Sequence, residues 1–377
     1  MNSLLKEKWE GAKGHLKNLL ARCRKVVICL DGWSKKGLSS HYLGISACFF
    51  DPSAGDVKHI VLQLAVIRHP HTGEKLAAAL NDCLTDWGLG ADKILMIVSD
   101  NGSNMIKAIK LLKEMNEDEI DECSDDDEEE QTETEMADEN EDLMELPREV
   151  RYLRMPCMAH TLQLVIKKAY VQHYDHVLTK ARRLVKLLRK SSDAVQKLLT
   201  KCGKILITDN STRWNSTYYM INRLLDVKLC ANEVLADMKI DSLTVAEWSK
   251  LEEMKNLLQP FATHTDILQT DALSLSYVIP SVLDLECHLQ QFNDARSLTN
   301  AMRGDLRQRF APLLEPVSHN FNPLPAAACL LDPNVGTLLL APHMRPLLDA
   351  AKLFITAQVC LYCLEVQFLL NVCRKLI

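Results

Sequence analysis

Two carboxylates define the chemistry open to this sequence. Asp31 ends the apolar run Val26-Val27-Ile28-Cys29-Leu30 and is followed by Gly32-Trp33. Asp100 ends a second run, KILMIVSD over residues 93–100, followed by Asn101-Gly102-Ser103. Short apolar runs rich in β-branched residues read as fully buried strands. Two such strands that each deliver an Asp at the carboxyl end offer hard oxygen ligands, which suit Mg²⁺ or Mn²⁺. In open α/β sheets that edge is where ligands bind. Taken singly, each Asp is as readily a strand-end turn former or a helix N-cap. It is the matched pair that points to a metal.

Two further clusters carry chemistry. Cys157-x-x-His160 has the spacing of half a zinc site. No second CxxC or HxxxH pair lies at finger spacing, and Cys360 and Cys363 have no His nearby. Bound zinc is therefore not expected, and Cys157 and His160 read as structural residues near the acidic pocket. Arg213 and Trp214 follow Asp209-Asn210-Ser211-Thr212. Trp214 is either a core aromatic or a stacking surface, and its polar neighbours argue against the core.

The elements that must position these residues follow from periodicity. Residues 4–24 repeat Leu and Trp among Lys and Arg, which predicts an amphipathic helix. Strands are predicted at 26–31, 41–50 and 57–68, joined by short links as an antiparallel meander. A helix over Gly73–Trp87, closed by Gly88, precedes strand 93–100, which a crossover makes parallel to the first. A helix over Gly102–Leu112 follows, and strand 151–155 completes the set. The order βββαβα predicts an α/β fold: an RNase H-like mixed five-stranded sheet, order 3-2-1-4-5, with Asp31 beside Asp100.

After Pro156-Cys157 the pattern turns helical. One helix is predicted over 157–171 and another over 174–201. A short strand and polar turn are expected within 204–214. From 215 onward the pattern is almost wholly helical, with breaks at Pro260, Pro280, Pro312, Pro316, Pro323 and Pro325. The domain reading is an N-terminal helix (1–24), the first part of the core (25–113), an acidic insert (114–149), the second part of the core (150–216), and an all-α insertion domain (217–377). The tail at 359–377 is apolar and Cys-rich.

Of the 377 residues, 50 are acidic and 44 basic, for a net charge of −6. That value conceals a partition. Residues 114–149 hold 20 Asp or Glu and one Arg, so the remainder carries 30 acidic and 43 basic residues, or +13. A basic body suits a polyanionic partner, and an acidic run shields or mimics one. The plainer reading of the run is a solvated, disordered insert. Within 174–201, Lys180, Arg182, Arg183, Lys186, Arg189 and Lys190 are either a solvated face opposite a leucine stripe or a DNA-contact face. The thirteen cysteines form no regular framework and no secretory signal precedes them, so reduced thiols are expected. No run of 18 apolar residues predicts a membrane span.

The motifs LDGWS (30–34), YLGIS (42–46), SDNGSNM (99–105), CMAHTLQLVI (157–166), STRWNST (211–217) and LLDPN (330–334) stand in fixed order. Together they resemble the catalytic core of hAT-superfamily DNA transposases and of the domesticated BED-finger proteins derived from them, from about Lys25 to Pro333. The resemblance implies a two-metal DNA-cleaving site in which two Asp and a distant Glu hold the ions. Asp31 and Asp100 match the two Asp. Trp214 matches the Trp that stacks on a flipped base, and Cys157 and His160 match the family's Cys-His motif.

The chain departs from that pattern where the third carboxylate is due. Glu365 is the only Glu after Glu315, and LYCLEVQF does not match the family's Glu motif. No BED finger precedes Val26, and the aromatic dimerisation segment is not found, which puts dimerisation in doubt. The expectation is a nuclear nucleic-acid-binding protein, transposase-derived and catalytically inactive, with weak Mg²⁺ or Mn²⁺ binding at the Asp pair. Two other readings stay open. One is an active metal-dependent transposase or nuclease. The other is a protein-interaction module docking through the acidic insert and helical domain.

Overall fold

The computed structural model describes residues 2–34, 41–121, 153–210, 214–269 and 275–361. They form two compact units, Met1–Cys157 and Met158–Ile377. The first contains α1 (Asn2–Arg22), β1 (Val26–Ser34), β2 (His41–Asp51), β3 (Asp56–Ile67), α2 (Gly73–Trp87), β4 (Ile94–Ser99), α3 (Ser103–Asp121) and β5 (Arg154–Pro156). Its five strands form one mixed sheet in the order 3-2-1-4-5, as the sequence predicts. β1 and β3 flank β2 antiparallel, while β4 is parallel to both β1 and β5.

Strand alternation separates two faces. Val26, Ile28 and Leu30 of β1 and Leu43, Ile45, Ala47 and Phe49 of β2 are buried together with Leu80, Leu84 and Trp87 of α2 and Ile109 and Leu112 of α3. Each such aliphatic side chain is worth about 1.5–3 kcal/mol when fully buried. Trp87 also donates its indole N–H to the Leu62 carbonyl at 3.2 Å, tying α2 to β3. The ends of α2 are set by its sequence. Thr72 caps the start, and Gly88 adopts φ 67° at the end, a conformation strained for residues with a Cβ.

Several boundaries differ from expectation, and β4 stops at Ser99, one residue short of Asp100. β1 does not stop at Asp31 but runs to Ser34, because His41–Gly44 of β2 pair with Asp31–Ser34 and satisfy its backbone. α3 does not stop at Leu112 but continues to Asp121, through the first residues of the acidic stretch. The rest of the insert, 122–149, lies outside the described residues.

The second unit is helical: α4 (Met158–Lys190), α5 (Ser192–Cys202), α6 (Trp214–Asp226), α7 (Lys228–Asp237), α8 (Val245–Leu268), α9 (Val278–Gln291), α10 (Arg296–Leu314), α11 (Leu324–Leu331) and α12 (Arg345–Leu361). The two helices expected over 157–201 are instead the 33-residue α4 and the shorter α5. α4 packs on α5, α6, α8 and α10. The helical unit therefore starts at 158, and the boundary expected at 216/217 does not divide the compact units.

Residues 204–209 form no strand. They are held as irregular chain by Arg189, which donates to the Leu206 carbonyl, and Arg223, which donates to the Ile205 carbonyl. Pro260 and Pro312 do not break their helices, α8 and α10. A mid-helix proline costs ~3 kcal/mol, and burial of the neighbouring Leu257, Leu258 and Phe261, and of Phe310 and Leu313, offsets it. No helix among the described residues is long and apolar enough to cross a membrane. Most of the Cys-rich tail, including Glu365, lies outside them.

Candidate nucleic-acid and metal site

In the β1–β4 register Cys29 pairs with Val98. β4 ends at Ser99, one residue before Asp100, while β1 carries on through Asp31 to Ser34. Alternation along β1 places Asp31 on the face opposite the buried Val26, Ile28 and Leu30. Asp31 is exposed and Asp100 half-buried. Asp100 sits in the turn between β4 and α3, and its Oδ1 accepts the Gly102 N–H at 3.0 Å. A Cβ on Gly102 would lie 3.1 Å from that same oxygen, so any larger residue there would push the Asp100 carboxylate aside by a few tenths of an ångström.

Arg154, on β5, is the residue that fixes this turn. Its Nε donates to Ser99 Oγ at 3.1 Å. Its Nη2 donates to the Asp100 carbonyl at 2.6 Å and to Asn101 Oδ1 at 2.8 Å. Burial lowers the Arg154 pKa, and the charge of Asp100 opposes that shift. No local pattern signals this role, since β5 follows a long acidic insert and pairs only through three residues.

Trp33 is a further residue on this face. It lies two residues past Asp31 on the same face, is 44% exposed, and stacks on Tyr42 with ring centroids 5.8 Å apart and planes 21° apart. Gly44, paired with Asp31, gives the indole its space, because a Cβ there would come within 3.1 Å of the Trp33 ring. The signal was in the sequence: strand alternation places Trp33 with Asp31 once β1 is extended to Ser34.

The other candidates separate. Trp214 opens α6 and is 5% exposed, on a buried stripe with Thr217, Tyr218, Ile221 and Leu224. Its sequence neighbours are polar, but its spatial neighbours are set by the helical period, and in this structure it is a core aromatic. Stacking on a base would require it to leave that stripe. Arg213 lies outside the described residues. The Cys157 N–H donates to the Ser99 carbonyl at 2.7 Å, extending the β5 edge. His160 lies in the first turn of α4. Among the described residues no group of three His, Cys, Asp or Glu is arranged to hold a metal ion. Asp31 and Asp100 each offer hard carboxylate oxygens, the donor chemistry that suits Mg²⁺ or Mn²⁺.

The basic residues of α4 divide as well. Lys180 pairs with Glu247, Arg182 with Asp209 at 2.8 Å, and Arg189 holds the Leu206 carbonyl. These three are structural. Arg183, Lys186 and Lys190 follow one another at helical spacing, are exposed, and have no ion-pair partner among the described residues.

Known proteins share these features. The family described as the ZBED1 RNase-like domain matches residues 29–124, and that described as the ZBED1 RNase-like helical domain matches residues 155–257. Together these matches take in more than half of the chain. The chain is 24% identical over 327 residues to a protein named as a transcriptional regulator, tpeD, of Talaromyces stipitatus, covering 76% of this chain and 35% of that protein. It is 24% identical over 186 residues to zinc finger BED domain-containing protein 4 of Homo sapiens, covering 47% and 16%. It is 24% identical over 227 residues to zinc finger BED domain-containing protein RICESLEEPER 2 of Oryza sativa subsp. japonica, covering 58% and 28%. The chain thus spans about a third or less of the length of these relatives. With the ordered motifs and the 3-2-1-4-5 sheet, these matches establish that the chain belongs to the BED-type proteins derived from hAT transposases.

Proposed function

We propose that this is a nuclear nucleic-acid-binding protein that has kept the transposase scaffold, holds Mg²⁺ or Mn²⁺ weakly at Asp31 and Asp100, and does not cut DNA. The observation that carries this reading is the end of β1, where Asp31 and the exposed Trp33 share one face, with Asp100 opening the turn that follows the neighbouring β4. An exposed indole backed by a second ring is a stacking platform for an unpaired base. The unpaired strip Arg183, Lys186 and Lys190 supports backbone contact by the helical unit, through counterion release. Nuclear action is in keeping with the relatives' names, a transcriptional regulator and BED zinc finger proteins.

In-line cleavage needs two ions held together. Among the described residues no third carboxylate joins the Asp pair. When bound, the ion would supply positive charge that draws a phosphate to the edge. The test is a nicking assay on plasmid and hairpin-end DNA with Mg²⁺ or Mn²⁺, comparing wild type with Asp100→Ala, beside a binding titration on single-stranded DNA. Binding without cleavage is expected. Cleavage that disappears in Asp100→Ala would sink the inactive assignment and make Glu365 the first substitute ligand to examine.

A further inference from the structure

The helical unit brings two cysteines together where α5 packs against α7. The register between these helices is fixed by two ion pairs. Lys197 on α5 reaches Asp237 on α7 at 3.6 Å, and Lys201 reaches Glu233 at 2.5 Å. Four residues forward on α5 are thus four residues back on α7, so the helices run antiparallel. In that register Cys202, the last residue of α5, comes level with Asn232, two residues from Cys230 near the start of α7. The Cys202 Sγ–H donates to the Leu198 carbonyl at 3.1 Å, and burial and then the neighbouring Cys202 thiol raise the Cys230 pKa. Both cysteines are half-buried rather than sealed in the core, unlike Cys23, Cys83 and Cys329. Cys202 continues the inward stripe of Ala194 and Leu198.

We infer that Cys202 and Cys230 form a reversible disulfide, closed by hydrogen peroxide, that locks α5 to α7. In the first step the Cys202 thiolate attacks one peroxide oxygen, giving a sulfenic acid and, after protonation, one water. In the second the Cys230 sulfur attacks the sulfenic sulfur, the S–O bond breaks, and the second water leaves. Two thiols and one peroxide thus become one disulfide and two waters. Burial, the Cys202 thiol and Glu233 raise the Cys230 pKa, against the opposing charge of Lys201. This makes Cys230 the slower nucleophile and suits it to the second, resolving step. A reduced compartment keeps most thiols free, so a pair of neighbouring thiols is where an oxidant pulse is expected to register first.

The test uses the full chain. The protein is exposed to a limiting pulse of hydrogen peroxide, free thiols are alkylated, and peptides are mapped without reduction. The expected result is a cross-linked species joining the Cys202 and Cys230 peptides, formed before any other disulfide and removed by dithiothreitol. In Cys230→Ser the cross-link is lost and Cys202 accumulates as a sulfenic acid trapped by dimedone. Cys202→Ala should abolish both signals. A wild-type map in which Cys230 stays alkylated, or in which another pair bridges first, overturns the proposal even if neither variant folds.

Discussion

Asp100 and Asp332 both follow an apolar run and begin a polar turn, yet they sit in opposite situations. Asp332, in the LLDPN motif, is fully buried at the end of α11. Its Oδ2 accepts from the buried Ser276 hydroxyl at 2.8 Å. Its Oδ1 accepts from the Asn334 N–H at 2.9 Å and the Asn334 side-chain amide at 3.2 Å. Its carbonyl accepts from Gly336, whose place a Cβ could not share, lying 2.7 Å from the Leu330 carbonyl oxygen. Asp100 is half-buried and accepts from Gly102, and Asp31, on the neighbouring β1, is exposed. The difference is one of satisfaction. A carboxylate saturated by its own chain is a pin that stabilises the fold, whereas one with oxygens facing an open edge has capacity left for an ion or a phosphate-bound metal.

Substitution at the pin should give the largest effect. Asp332→Ala removes three accepted bonds and orphans a buried hydroxyl, so urea denaturation should show a loss of about 3 kcal/mol or more. A change under ~1 kcal/mol would show that the LLDPN turn is not a pin. At the other site the structural burden falls on Arg154. Arg154→Met leaves Ser99, Asp100 and Asn101 without their donor and should cost about 1–3 kcal/mol. It should also weaken Mn²⁺ binding, measured by paramagnetic titration, because the turn carrying Asp100 loosens. Unaltered Mn²⁺ affinity would separate Arg154 from the site.

Ligand linkage gives a smaller signal. An ion ~10-fold above its Kd stabilises the folded state by about 1 kcal/mol. Mg²⁺ should raise the melting midpoint of wild type and leave that of Asp100→Ala where it is. Equal shifts in both would place the ion elsewhere.

A pH effect belongs near the same sheet edge. His71 follows the cis His69–Pro70 bond, and both of its ring nitrogens are buried without a hydrogen-bond partner. Its ring lies 3.3 Å from that of His41 and 5.4 Å from that of His69. Its pKa is lowered, first by burial and then by His41, His69 and Lys75. A lowered folded-state pKa means that the unfolded chain binds the proton more readily. Stability is therefore full above the ordinary histidine pKa of about 6.5 and falls as pH drops through it toward the folded value. His71→Phe should flatten that slope in melting curves run down the acid range. A slope identical to wild type would clear His71 of the effect. The smallest change is expected at Asp31→Asn, within ~0.5 kcal/mol of wild-type stability, since the Asp31 carboxylate is exposed. A large loss there would show Asp31 to be a second pin and end the contrast.

Period and residue type alone determined much of this protein. The three-stranded meander, α2 from Gly73 to Trp87, the parallel β4 and the sheet order follow from alternation, β-branching and the handedness of crossovers, which are local rules. The same rules put Asp31 on β1 and Asp100 just past the end of the neighbouring β4. What only the tertiary structure decided lies where a residue's fate depends on partners distant in sequence. β1 passes Asp31 because β2 is there to pair with it, and that brings Trp33 onto the face of the site. Trp214 goes inward because α6 needs a buried stripe, whatever its polar flanks suggest. Pro260 and Pro312 stay within helices because the packing around Phe261 and Phe310 outweighs one lost hydrogen bond each. Arg154 reaches Ser99, Asp100 and Asn101 across more than fifty residues of chain. Spacing along a sequence carries no information on such contacts, because their energy exists only once the core that aligns them has formed.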